Sequence, residues 1–266
     1  MTRIALLWTQ LGTEAADRWR VRPSVAYAIF VLPVVGGLLV ALSRASKPLF
    51  KGITGEDRLL EYAQFGLYLA TAVLALLVAH ALWRSDHPLA ALAYLGLAVG
   101  ALFVAGEEIA WGQRIFDFDT PESLERINDQ LETTTHNIGP VQNAFNGVVF
   151  VASLYGCSAP WLWSRGGRQR WSRQSLFVPP LFLTGLFAID VVYRLVRWIF
   201  VPEGFTATEY GEWPEFCFAF ALGTFVLLNL RLLREPVGAP APALAGQRNV
   251  GSDAGTETVR LAEPDN

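Results

Sequence analysis

Two adjacent carboxylates, Glu107 and Glu108, close a long apolar run in the segment Gly106-Glu107-Glu108-Ile109-Ala110-Trp111-Gly112-Gln113-Arg114. An ionisable residue in a membrane helix costs roughly 2.5–3.5 kcal/mol on insertion scales, so it normally faces a partner, a wet cavity or a ligand. Capping does not explain these acids, because the carbonyl end of a helix dipole disfavours negative charge. Farther along, Glu132 and His136 are spaced i, i+4 and share a face wherever that segment is helical. Histidine with carboxylates suits a divalent zinc, manganese or iron ion, or general acid and base work. Asp190, Arg194 and Arg197 fall at i, i+4 and i+7, which is either an internal ion pair or, through the second arginine, a site for phosphate or carboxylate.

The elements that must position these groups follow from composition. The chain has 266 residues, 52% hydrophobic and 17% charged, against about a quarter charged in an ordinary soluble domain. Apolar stretches of about 20 residues cross a bilayer as helices. Six are present, near 24–43, 62–83, 88–110, 140–163, 176–200 and 214–233. The expected fold is therefore all-α, a polytopic bundle of six membrane helices over residues 1–234 in the cell membrane. A short, partly helical segment near 115–138 and a disordered tail over 235–266, rich in Pro, Ala and Gly, complete it.

Lys and Arg mark cytoplasmic loops. With the amino terminus inside, eleven basic residues flank the inner ends, including Arg165, Arg168, Arg170 and Arg173, and six flank the outer ends. Both termini are expected in the cytoplasm. The arginines are then topological signals, and nothing in the chain is basic enough to suggest nucleic acid. Residues 1–23 carry four arginines and two acids with no convincing cleavage site, so no signal peptide is expected.

This topology gathers polar residues from separate spans at one leaflet. Glu61 and Gln64 open the second span, and Glu107 and Glu108 close the third. Glu132, His136, Asn137, Asn143 and Asn146 lie around the start of the fourth, and Glu212 and Glu215 flank Pro214 at the start of the sixth. Acids and proline are also ordinary at a helix start. Trp111, Phe116 and Phe118 fit an interfacial aromatic belt, and Gly106 and Gly112 fit close helix packing. Cys157 and Cys217 lie roughly 20 Å apart along their spans at 1.5 Å per residue, too far for a disulfide. No Walker loop, dinucleotide glycine fingerprint, CxxC, HExxH or GxSxG element is present.

Glu61-Tyr62-Ala63-Gln64, the Gly106–Arg114 segment, Thr120-Pro121-Glu122, Asn128, Gln130, Glu132 and His136-Asn137 together resemble a group of uncharacterised prokaryotic multi-spanning membrane proteins. The shared pattern is G-E-E-I-S-W-G-Q-R, then E-T-P, then N-x-Q-x-E-x-x-x-H-N, over roughly the central third of the chain. Ala110 and Asp119 stand where that pattern has serine and glutamate, which removes a serine nucleophile at position 110. Membrane hydrolases of the alkaline ceramidase type need three histidines, and the outer side here offers His136 alone.

The first expectation is a membrane enzyme acting on a lipid or lipid-linked substrate at the extracytoplasmic face. Glu107, Glu108, Glu132 and His136 would form its catalytic group. Arg194, Arg197, Asp190, Gln113 and Asn137 would hold substrate, and Glu108, Glu132, His136 and Glu215 would be ligands for a divalent metal ion. A proton- or cation-coupled transporter and a noncatalytic assembly protein are the alternatives.

Overall fold

The computed structural model describes residues 2–56, 58–122, 126, 133–135, 138–165, 176–200 and 205–234, and every regular element among them is a helix. The helices are α1 (Arg3–Asp17), α2 (Pro23–Ser43), α3 (Lys47–Thr54), α4 (Leu59–Arg84), α5 (Pro88–Glu108), α6 (Gln113–Phe116), α7 (Gly139–Arg165), α8 (Thr184–Phe200), α9 (Phe205–Glu209) and α10 (Glu212–Arg234). Five stretches are long and apolar enough to cross a membrane: Pro23–Ser43, Lys47–Arg84, Pro88–Glu108, Gly139–Ser164 and Thr206–Arg234. The tail expected to be disordered, 235–266, lies outside the described residues.

The pairing of α4 with α5 shows why these residues make a bundle. Along α5 the buried positions are Ala91, Tyr94, Ala98, Ala101 and Ala105, spaced alternately by three and four residues. On α4 the matching seam is Tyr68, Ala72, Ala75, Ala79 and Leu82. Small side chains let the two backbones approach closely, which is how helices associate where lipid removes the hydrophobic drive. The large apolar residues Leu92, Leu95, Val99, Leu102 and Phe103 point outward instead. A soluble bundle has the reverse arrangement, with large residues inside. Helix α10 packs along α4, α8 and α2, and α7 packs along α8.

Two expected boundaries are corrected. The span near 176–200 is helical only over Thr184–Phe200, 17 residues or about 26 Å at 1.5 Å per residue. Pro179 and Pro180 remove two backbone donors just before it, and Leu181–Leu183 forms a single 3-10 turn. The span near 88–110 ends at Glu108, where the chain turns left-handed.

An amphipathic helix that the apolar-run analysis did not anticipate, α1, lies against α2 and the 181–183 turn. Its Glu14 latches it there. Glu14 Oε1 accepts from Trp19 Nε1 at 2.8 Å, and Oε2 accepts from the Leu181 backbone N–H at 2.9 Å. The second bond takes up a donor that the broken helix start would otherwise leave bare. Burial is the largest influence on the Glu14 carboxyl and raises its pKa, against the opposing hydrogen bonds from Trp19 and Leu181 and the charge of Arg18. An acid whose pKa rises on docking contributes most below its free-chain pKa, and loses that contribution as pH rises through the docked value. Acidification from neutral pH should therefore slow hydrogen exchange across α1, and Glu14→Gln should flatten that dependence. Faster exchange on acidification, after correction for intrinsic rates, would contradict the latch.

Candidate functional site

Five helices bring polar groups to one end of the bundle. The start of α4 supplies Glu61, Gln64 and Tyr68, and the end of α5 supplies Glu107 and Glu108. The first turns of α7 supply Asn146, the middle and end of α8 supply Asp190, Arg194 and Arg197, and the start of α10 supplies Glu212 and Glu215. The sequence expectation that these segments meet is met for the residues described. Glu132, His136 and Asn137 lie outside the described residues, as does the side chain of Arg114.

The adjacent acids have different roles. Glu107 is 4% exposed. Its Oε1 accepts from Trp111 Nε1 at 2.7 Å, and its Oε2 accepts from the Thr135 backbone N–H at 2.7 Å and from Thr135 Oγ1 at 3.1 Å. Gln113 acts in the same way, donating from Nε2 to Thr120 Oγ1 at 2.7 Å and accepting from the Thr133 N–H at 2.7 Å through Oε1. Glu107 and Gln113 thus pin the connection between α5 and α7. Trp111 is more than a member of an interfacial belt, because its indole closes this clasp.

Backbone conformation makes the clasp possible. Ala110, Trp111 and Gly112 all have positive φ, at 46°, 53° and 80°. For residues with a Cβ, such a conformation costs roughly 1–2 kcal/mol each. The left-handed turn folds the Trp111 ring back onto Gly106, where a Cβ would lie 2.9 Å from ring carbons. A Cβ on Gly112 would in addition meet the Phe116 ring at 2.9 Å. These contacts explain the glycines that flank the acids. Gly112→Ala should destabilise the protein by about 1–3 kcal/mol, read as a lower thermal midpoint in detergent. Gly106→Ala should displace the indole and change Trp111 fluorescence, and wild-type values for both variants would refute the clasp.

Glu108 points elsewhere. It makes no hydrogen bond or ion pair among the described residues, yet it lies within electrostatic reach of Glu215, Glu212, Glu61 and Glu107. Gln64, 0% exposed, donates from Nε2 to Glu212 Oε2 at 2.8 Å, while its Oε1 is buried without a partner. One turn below Gln64 is Tyr68, 5% exposed, with Glu108, Glu215, Asp190 and Arg194 as its charged neighbours. The Tyr68 hydroxyl has no hydrogen-bond partner among the described residues. Tyr68 was missed from sequence, although its i, i+4 spacing from Gln64 places both on one face of α4.

Arg194 occupies the far side of the cluster. Its Nε donates to Asp190 Oδ1 and Oδ2 at 3.0 and 3.1 Å, one terminal nitrogen to Asn146 Oδ1 at 2.6 Å, and the other to Glu215 Oε1 at 3.4 Å. Ser153 Oγ donates to Asp190 Oδ2 at 2.8 Å. This is the internal-pair reading of the i, i+4 spacing, and it ties α7, α8 and α10 together. Arg194, Asp190 and Gln113 were expected to hold substrate, and the structure instead commits their polar atoms to neighbouring protein groups. Arg197, one turn on, lines a cavity.

Among the described residues no group of three or more His, Cys, Asp or Glu side chains is placed to hold a metal ion. Cys157 and Cys217 are free thiols, as their separation along the spans required. No family model, no curated protein and no solved structure matches this chain.

Proposed function

We propose that this chain is a protein of the cell membrane that crosses the bilayer six times with both termini in the cytoplasm. On this reading the acidic end faces the extracytoplasmic side and is the site of an enzyme acting on a lipid or lipid-linked substrate. The short α8 is the fifth crossing in chain order, with the turns at 176–183 completing it. The resemblance carried by the Gly106–Arg114 segment belongs to the same proposal.

The observation that carries the enzyme reading is Glu108. A carboxylate without a partner among the described residues, set among four other acids and near a tyrosine hydroxyl that likewise has none among them, is costly to keep for packing alone. Its chemistry is that of a general acid and base, with the Tyr68 hydroxyl able to donate to the same substrate oxygen. Glu107 and Gln113 are positioning residues. They pin Thr133 and Thr135, the sequence neighbours of Glu132 and His136, the two residues that would join Glu108 as metal ligands or acid and base partners. Glu215 as a fourth ligand would have to share its carboxylate with Arg194.

A noncatalytic role is favoured by one part of the cluster. The Asp190–Arg194 pair, with Asn146 and Ser153, is internally bonded and serves helix packing whatever Glu108 does.

The test is to incubate purified protein in detergent with polar lipid extract and follow lipid conversion by mass spectrometry, comparing the natural protein with Glu108→Gln. Metal content is measured in parallel for the natural protein and His136→Ala. Conversion that survives Glu108→Gln at full rate ends the enzyme proposal, and metal content unchanged by His136→Ala ends its metal form.

A further inference from the structure

A cavity of about 550 Å³ lies beside the acids, between the end of α2, α3, α8, α9 and the start of α10. That volume is within the roughly 300–1,000 Å³ of ordinary small-molecule sites. Its walls are largely apolar, with Phe50, Ile189 and Val196 and the rings of Tyr193 and Tyr210 among them. Both tyrosine hydroxyls are tied to backbone, donating to Ala207 O at 3.0 Å and Gly37 O at 3.1 Å, which leaves the rings as wall. Two residues bring positive charge, Arg44 from the end of α2 and Arg197 from α8, and no carboxylate is among the described lining residues. Arg44 is exposed, and its side chain makes no ion pair or hydrogen bond among the described residues.

Pro214, which separates Glu212 from Glu215, belongs to the same wall, so the cavity borders the acidic end. Val192 and Val196 on its α8 side are exposed, on a surface that in a membrane would face lipid. The cavity therefore combines an apolar wall, a lipid-facing side and two arginine residues on its border. Guanidinium forks match the oxygens of a phosphate monoester or diester. A free phosphate would leave the apolar wall uncovered, whereas a lipid covers it with an acyl chain.

We propose that this cavity binds an anionic phospholipid, its phosphate held between Arg44 and Arg197 and an acyl chain lying along Phe50, Ile189 and Val196. The inference rests on the enzyme reading above in one respect, that it names the class of substrate delivered to Glu108. The binding itself stands on the cavity alone.

The test titrates purified protein in neutral detergent with short-chain phosphatidylglycerol, short-chain phosphatidylcholine and inorganic phosphate, by calorimetry. The expected result is saturable binding of phosphatidylglycerol at least about tenfold tighter than phosphatidylcholine, a difference of about 1.4 kcal/mol. Arg44→Gln with Arg197→Gln should reduce it to the phosphatidylcholine level, and the two Lys replacements should restore part of it. Val196→Trp, which fills the cavity and leaves both arginines in place, should block binding if the arginine variants fold poorly.

Equal affinity for the two lipids, or binding indifferent to both the arginine and the tryptophan substitutions, overturns the proposal. Displacement of the lipid by inorganic phosphate also overturns it, in favour of a free-phosphate site. Glu108→Gln separates the two readings. Arginine-dependent lipid binding with turnover intact in Glu108→Gln defeats the enzyme reading only. Loss of turnover in Glu108→Gln without selective lipid binding defeats this inference only.

Discussion

On the enzyme proposal, Glu108→Gln is expected to lower lipid conversion by about two to four orders of magnitude, the usual contribution of a positioned general acid or base. The substitution keeps shape and removes the ionisable group. Because Glu108 has no hydrogen-bond partner among the described residues, no described bond is lost with it. Removing one of several like charges should leave the thermal midpoint unchanged or raise it. Glu107→Gln provides the contrast. Glu107 uses both oxygens as acceptors, for Trp111 and for Thr135, and an amide can present only one. An unsatisfied buried donor there should cost about 1–3 kcal/mol and lower the thermal midpoint. The pair of variants thus separates activity from stability at neighbouring positions. Equal loss of stability in both, or full conversion by Glu108→Gln, would contradict the division of roles.

Arg194→Met should be the most damaging single change to stability, at about 3–5 kcal/mol, because removing one partner strands the other charge in a buried site. The stranded group is Asp190, which is 0% exposed. Asn146 and Glu215 lose a donor at the same time. The double change, Arg194→Met with Asp190→Leu, should recover most of the loss, since a buried ion pair replaced by apolar groups of similar volume is often neutral or stabilising. Thermal unfolding in detergent measures both. If the double variant is no more stable than the single one, the ion pair is not the source of the effect.

Much of the architecture was legible locally. Five of the six apolar runs coincide with helices long and apolar enough to cross a membrane, because hydropathy accumulates residue by residue, whatever the neighbours. The spacing of Asp190 and Arg194 gave their pairing, since residues one turn apart must share a face. Pro179 and Pro180 were equally visible and marked where the run near 176–200 fails to be helical, but they sit inside an apolar run that hides them from a hydropathy count. Arg44 was legible only as a topological charge. Its place on a cavity wall depends on α3, α8 and α9 folding against the end of α2.

The sequence by itself determined that acids, amides and arginines fall near the ends of apolar helices long enough to cross a membrane, because helix length and charge position along each helix are local properties. Only the tertiary structure decided which of two adjacent glutamates is bonded among the described residues. Neighbouring residues on a helix diverge by about 100°, at 3.6 residues per turn, so Glu107 turns to the clasp at Trp111 and Thr135 while Glu108 turns to Tyr68 and the acids of α4 and α10. Composition and spacing are identical for the two. Partners are set by contacts between distant segments, and those contacts separate a carboxylate that clasps the chain from one with no described bond.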